Sequence, residues 1–368
     1  MREAMNIAIF CPNWIGDVVM ATPAIASIRR RYPQAFLVGL MKPYVQGVID
    51  GSPWFDQIIY CNGTEKGQGL LPVAWQLRKI GIDVAVLFPN SFRSALTAWL
   101  GGASRIVGYA RGGRSWLLTD RLEPLRGRRG EFVPSPIIDA YNRLAEHIGC
   151  DRPGCRMSLF TTPEDEQAAD DIWRRHRLVS AYPIVAFNPG AAYGAAKHWP
   201  VEYFAELAQR LVDRRHAAIL VLCGPTEREM AASIVELAQR STVTSLAQEA
   251  VSLGLLKACV RRCDLLVTTD SGPRHFAAAF DRPVVSLFGP THIAWTETYF
   301  PKAVHLQKAV ACGPCQLRVC PLDHRCMKLL TPAEVYEAAA AMLARHAGAT
   351  ASQRSWSWLP FRWDRRTG

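Results

Sequence analysis

The sequence predicts an α/β protein made of two similar halves, each a mainly parallel sheet covered by helices. Three observations carry this expectation. Short apolar runs alternate with amphipathic stretches along the chain. The alternation restarts near residue 180. Every strong motif falls in a loop just after a predicted strand, at the edge where open α/β sheets bind ligands. A length of 368 residues allows two domains, each with its own core.

In the first half Ile7–Cys11 reads as a buried strand and Val18–Arg30 as a helix that closes in a basic turn before Pro33. Phe36–Leu40, Val84–Phe88 and Arg105–Tyr109 are further strands, with helices between them. Thr162-Pro163-Glu164 opens a helix within Thr161–Arg177, because a Thr cap followed by Pro at the first helical position is a start signal. Strand Ile184–Phe187 begins the second half. Helix Val201–Arg214, strand Ala218–Leu222 and helices Glu227–Gln239 and Val251–Val260 follow, then strand Leu265–Thr268, helix Arg274–Phe280 and strand Val284–Leu287. A last helix, Pro332–Arg345, leads into a tail rich in Ser, Arg and Trp. The expected domains are 1–180 and 181–348, with the tail at 349–368.

Composition narrows the class. Apolar residues make up 49% and charged residues 20%, a globular balance with no apolar run long enough for a membrane span. Pro12, Asn13 and Asp17 interrupt the N-terminal apolar stretch before a signal peptide is complete, so a cytoplasmic location is expected. The 11 cysteines are an odd number in a long chain, and Cys11 and Cys223 lie in apolar runs; most read as reduced, buried thiols. The formal charge of +11 has a local excess at Arg105, Arg111, Arg114, Arg121, Arg126, Arg128 and Arg129. That run is either a solvated surface or a site for a polyanionic substrate. Nucleic acid is not the expected partner, since no aromatic-interleaved or zinc-finger pattern accompanies the arginines.

Neither G-x-G-x-x-G nor G-x-x-x-x-G-K-[ST] occurs, which argues against dehydrogenase and P-loop chemistry. The loops after the strands carry other chemistry. Pro12-Asn13-Trp14-Ile15-Gly16-Asp17 offers a carboxylate as a helix cap or as a base for a sugar hydroxyl. Asn188–Pro200 is rich in small residues that let a ligand approach the backbone, and Lys197 stands near its end as a diphosphate clamp or a solvated lysine. Thr268–His275 gathers hydroxyls, a glycine and helix-start N–H groups, the makings of an anion site or a set of caps. Glu227, after Gly224-Pro225-Thr226, suits ribose hydroxyls or capping, with Glu229 as its alternative; Phe288-Gly289-Pro290-Thr291-His292 is a further loop after a strand.

The Asp17 loop, Pro89-Asn90-Ser91-Phe92-Arg93-Ser94-Ala95-Leu96, the Pro189–Pro200 segment and Asp270-Ser271-Gly272-x-x-His275 together resemble the ADP-heptose:lipopolysaccharide heptosyltransferases of glycosyltransferase family 9. The resemblance runs from about residue 5 to about residue 345, and its Pro-Asn-Ser-Phe-Arg-Ser run and Lys-x-Trp-Pro spacing look like the second-heptose members. It implies a GT-B fold, two Rossmann-like domains with the active site between them. It also implies an inverting transfer of L-glycero-D-manno-heptose that needs no metal or other cofactor. The donor would be ADP-heptose and the acceptor the first heptose on the Kdo–lipid A inner core. Carried over by position, Asp17 is the general base and Lys197 the pyrophosphate ligand. Glu227, Asp270, Ser271, Gly272 and His275 line the donor site, and Asn13, Asn90, Arg93, Arg111 and Arg114 the acceptor site. The rivals are another family 9 acceptor, a protein among them, and a nucleotide-sugar-binding protein without catalysis.

Two segments stand apart. Cys312-Gly-Pro-Cys315 with Cys320 and Cys326, and His324 nearby, has metal-site character at a spacing that matches no standard zinc pattern, and is expected to be structural or redox thiols. The tail sets Trp356, Trp358, Phe361 and Trp363 among arginines, the chemistry of a weak anchor on an anionic inner leaflet or of aromatics packed on the protein itself.

Overall fold

The computed structural model describes residues 5–63 and 65–351. It has two compact units. Of the described residues, one comprises 5–160 with Ala294–Tyr299, and the other Thr161–Ile293 with 300–351. The division at Phe160/Thr161 corrects the expected 180/181. The helix Pro163–Arg175 goes with the second unit, where Glu166 is held by Arg262 (2.5 Å) and packs on helix Leu253–Arg262.

The first unit is a six-stranded sheet. Its strands are β1 (Asn6–Phe10), β2 (Phe36–Met41), β3 (Gln57–Tyr60), β4 (Val84–Leu87), β5 (Arg105–Tyr109) and β6 (Asp120–Leu122), in the order β3-β2-β1-β4-β5-β6. The second contains β7 (Ile184–Asn188), β8 (Ala218–Val221), β9 (Val243–Ser245), β10 (Leu265–Thr269), β11 (Val284–Phe288) and β12 (Ala303–Gln307), in the order β12-β11-β10-β7-β8-β9. Read from the other edge, the second order repeats the first. All these pairings are parallel. Central strands β1, β7 and β10 are buried almost throughout, as continuous Val/Ile/Leu/Phe runs demand when helices cover both faces.

The order explains where the motifs lie. Each sheet reverses direction between its first and fourth strand, and ligands of open α/β sheets bind outside the carboxyl ends of the strands at that switch point. In the first unit the loops after β1 and β4 flank it; in the second, those after β7 and β10. These four loops carry Asn13 and Asp17, Asn90 and Arg93, Lys197, and Asp270 to His275.

The predicted elements lie within a few residues of the observed ones, with two kinds of difference. The first helix begins at Ile15 instead of Val18, because the Gly16 turn is already helical. Four strands were not foreseen: β3, β6, β9 and β12. All lie toward the sheet edges, where fewer faces are covered and the apolar signal is short and mixed. Cys11 and Cys223 are buried free thiols, and burial pushes Cys223 up to about 11. Among the described residues no helix is long and apolar enough to cross a membrane. The Trp-rich tail lies outside the described residues.

Candidate functional site

In the first unit Asp17 sits at the third position of helix Ile15–Arg31, whose N-cap is Trp14. Its carboxylate is therefore not the cap. It is half-buried, and its charge, after burial itself, helps raise the phenol of Tyr141 well above the ordinary range, so the two side chains are neighbours. Asn13 is exposed, and its carbonyl accepts a hydrogen bond from the Tyr44 hydroxyl. Asn90 and Arg93 are exposed at the start of helix Phe92–Leu100, which Ser91 caps by accepting from Ser94 N at 3.4 Å.

The arginine run divides by role. Arg105 pairs with Asp120 at 2.7 Å, and Arg111 and Arg126 stack on the Phe132 ring at 3.8 and 4.7 Å. Arg114 is 0% exposed and donates to the carbonyls of Tyr109 (3.2 Å), Pro89 and Ser91 (3.3 Å), and to Asn90 Oδ1 (3.1 Å). Burial pushes its pKa down to about 10. Its guanidinium thus shapes the loop after β4 from behind and supplies no exposed charge to an acceptor. Arg114→Ala is expected to cost about 2–4 kcal/mol of stability through the cavity and the stranded acceptors. Urea unfolding would measure this, and a change below about 1 kcal/mol would contradict it.

The second unit holds a tighter cluster. Lys197, in a short 3-10 turn (Ala195–Lys197), is 8% exposed; its Nζ donates to the Asp270 carbonyl (2.9 Å) and to Asp270 Oδ2 (2.6 Å). Thr291 Oγ1 donates to the same carboxylate oxygen at 2.7 Å, and Arg274 stands 3.6 Å from the other. Burial pushes the Asp270 carboxyl up, but the charges of Lys197 and Arg274 and the hydrogen bonds from Lys197 and Thr291 outweigh it, holding the pKa at about 2. The Tyr193 ring lies 4.7 Å from the ammonium.

Side chains stitch the ends of β7 and β10 together around this pair. Asn188 Nδ2 faces Thr268 Oγ1 (3.2 Å) and Ser271 Oγ (2.9 Å), and Thr269 Oγ1 donates to the Gly190 carbonyl at 2.8 Å. Gly272 begins helix Pro273–Ala279. His275 is buried, and burial, then the Arg274 charge, drives its pKa well below the ordinary value, so it packs as a neutral imidazole. Glu227 Oε2 accepts from Gly224 N at 2.8 Å, which is the capping role. The same carboxylate also lies over Gly190, where any Cβ would collide with it, and so reaches the Lys197 loop. Lys197, Asp270 and Ser271 are thus brought together, with Glu227 at their margin and His275 behind.

The sequence did not single out Asn188, Arg274 or Thr291. Thr291 does occupy a loop after a strand, and a polar residue ending a buried strand was the available signal for Asn188. The cysteines also lie in this unit. Burial, then the nearby sulfurs of Cys320, Cys312 and Cys315, raises the Cys326 thiol.

The profile of glycosyltransferase family 9 (heptosyltransferase) matches residues 71–325. The chain belongs to this family. It is 29% identical over 311 residues to the lipopolysaccharide heptosyltransferase 2 of Escherichia coli, covering 81% of this chain and 87% of that one. To the lipopolysaccharide heptosyltransferase 1 of Pseudomonas aeruginosa it is 34% identical over 351 residues, 86% of this chain and 87% of that one. Its fold matches the structure of the E. coli ADP-heptose LPS heptosyltransferase II with a TM-score of 0.75 at 25% identity, over 93% of this chain and 100% of that one.

Proposed function

We propose that this glycosyltransferase moves L-glycero-D-manno-heptose from ADP-heptose to the first heptose of the lipopolysaccharide inner core, inverting the anomeric centre. The observation that carries this reading is the similarity to the E. coli heptosyltransferase 2 along 81% of the chain.

The residues suggest how. Asp17 takes the proton of the acceptor hydroxyl as it attacks the anomeric carbon. The bond to the diphosphate breaks, and negative charge grows on the departing ADP. Two of the three N–H bonds of the Lys197 ammonium go to Asp270. The third is available to a diphosphate oxygen, and Asp270, itself held by Thr291, fixes its direction. A cation aimed before the reaction begins stabilises the leaving group without reorganisation. Ser271 and Gly272 would face the donor beside it, and Glu227 its ribose.

A second reading is favoured by the 34% identity to the P. aeruginosa heptosyltransferase 1, namely the first inner-core heptose step. Incubation with ADP-heptose and Kdo–lipid A, with and without its first heptose, distinguishes them by mass spectrometry. One heptose added only to the heptosylated acceptor is expected; addition to the bare one would select the second reading. We place the enzyme in the cytoplasm and, through residues 349–368, weakly on the inner leaflet. Co-sedimentation with anionic vesicles should fall when the chain is ended at Ala349.

A further inference from the structure

The stretch 308–324 contains neither helix nor strand, and most of it is exposed. Its apolar side chains point outward: Leu317, Val319 and Leu322 are 44%, 71% and 60% exposed. Hydrophobic burial therefore does not hold it, and long structureless segments in compact domains need another restraint. Yet it is pinned at defined points. Arg318 O accepts from Ala196 N at 3.0 Å, Gln316 N donates to Pro290 O at 2.8 Å, and His324 Nε2 meets Ala196 O at 2.7 Å. These are the loops that carry Lys197 and Thr291.

Four cysteines lie in or next to this stretch, and all four line one small cavity of about 20 Å³ together with Gly289, Pro290 and His324. Gly289 leaves that space open, since a Cβ there would stand 3.2 Å from Cys326 Sγ. The volume suits a single ion, and a set of four thiolates selects zinc or ferrous iron over harder cations. Among the described residues no three such side chains are already gathered at a point as a finished metal site, so the ion itself would draw the sulfurs together.

We propose that Cys312, Cys315, Cys320 and Cys326 bind one zinc or ferrous ion, and that this ion is the staple of the 308–324 stretch. Each thiol gives up its proton on binding. The site replaces the structural or redox thiols expected from sequence, and it stands independently of the donor and acceptor assignments.

The test uses the full chain, purified under reducing conditions without chelator. Elemental analysis should find about one zinc or iron per chain, and which metal it is settles the choice between them. The four cysteines should resist alkylation until a chelator is added. Cys315→Ser and Cys320→Ser should each retain less than about one-tenth of an equivalent. Should either fail to fold, wild-type protein stripped by chelation and reloaded with Zn²⁺ or Fe²⁺ gives a second measurement. Cleavage within 309–323 by a protease should accelerate roughly tenfold or more on stripping and return on reloading. Metal-free protein with four freely alkylated thiols, or with a Cys312–Cys315 disulfide in the mass spectrum, would overturn the proposal. So would cleavage that ignores the metal.

Discussion

Asp17→Asn is expected to lower turnover by about 10²–10⁴-fold, the usual worth of a positioned general base, while ADP affinity stays within about twofold. The substitution keeps the size and the hydrogen-bonding shape of the side chain and removes only its ability to hold a proton. The fold should tolerate it. Asp17 is in the first turn of its helix but is not the cap, so the loss is that of a dipole interaction, about 0.3–1 kcal/mol. ADP affinity should persist because the Lys197–Asp270 pair is built from other loops. Single-turnover transfer and calorimetric ADP binding together check this. Near-normal transfer in the Asn variant would move the base elsewhere.

Lys197→Ala should act on stability and on the donor together, which a solvated lysine would not. Removing the ammonium leaves the Asp270 carboxylate buried without its closest cation. Breaking a buried pair costs about 3–5 kcal/mol, and Arg274 at 3.6 Å places the expectation at the lower end. ADP affinity should fall on the order of tenfold or more with the loss of a charge-assisted hydrogen bond. Lys197→Met combined with Asp270→Leu removes both charges; it should recover much of the stability and none of the ADP binding. Recovery of both would mean that the lysine serves the fold alone.

The pair also sets a pH window. The folded Asp270 carboxyl, at about 2, lies below its ordinary 3.8, so the folded state holds its proton less well than the unfolded one. The stability this contributes is fully present above about 4 and is lost as pH falls toward 2. Without Lys197 the folded pKa rises toward the unfolded one, so the acid-side loss shrinks while its onset, set by the unfolded carboxyl, stays near 4. Urea midpoints across that range, wild type against variant, read this directly.

The parallel α/β halves were legible because buried strands leave an unbroken apolar signature, as in Ile184–Phe187 and Leu265–Thr268. The start of helix Pro163–Arg175 was legible too: the Thr162 hydroxyl accepts from Asp165 N (3.2 Å) and Asp165 Oδ2 from Thr162 N (3.0 Å), a capping box written into four consecutive residues. The loops bearing Asp17, Lys197 and Asp270 were found because special chemistry follows strands. The edge strands were not, since β12 is only half-buried along its length and its residues carry little periodic signal.

What the sequence by itself determined is local: which segments are strands and helices, where the capped starts lie, and which loops carry acids, lysines and hydroxyls. Those properties depend on neighbours a few residues apart. Only the tertiary structure decided that Lys197, Asp270 and Thr291 share one carboxylate, that Arg114 faces inward, that Glu227 lies over Gly190, and that four cysteines line one cavity. The Lys197–Asp270 contact joins residues far apart in the chain, from strands that are adjacent only through the crossover order of the sheet. Charge pairing, burial and the resulting pKa values are set by that adjacency, and no local pattern encodes it.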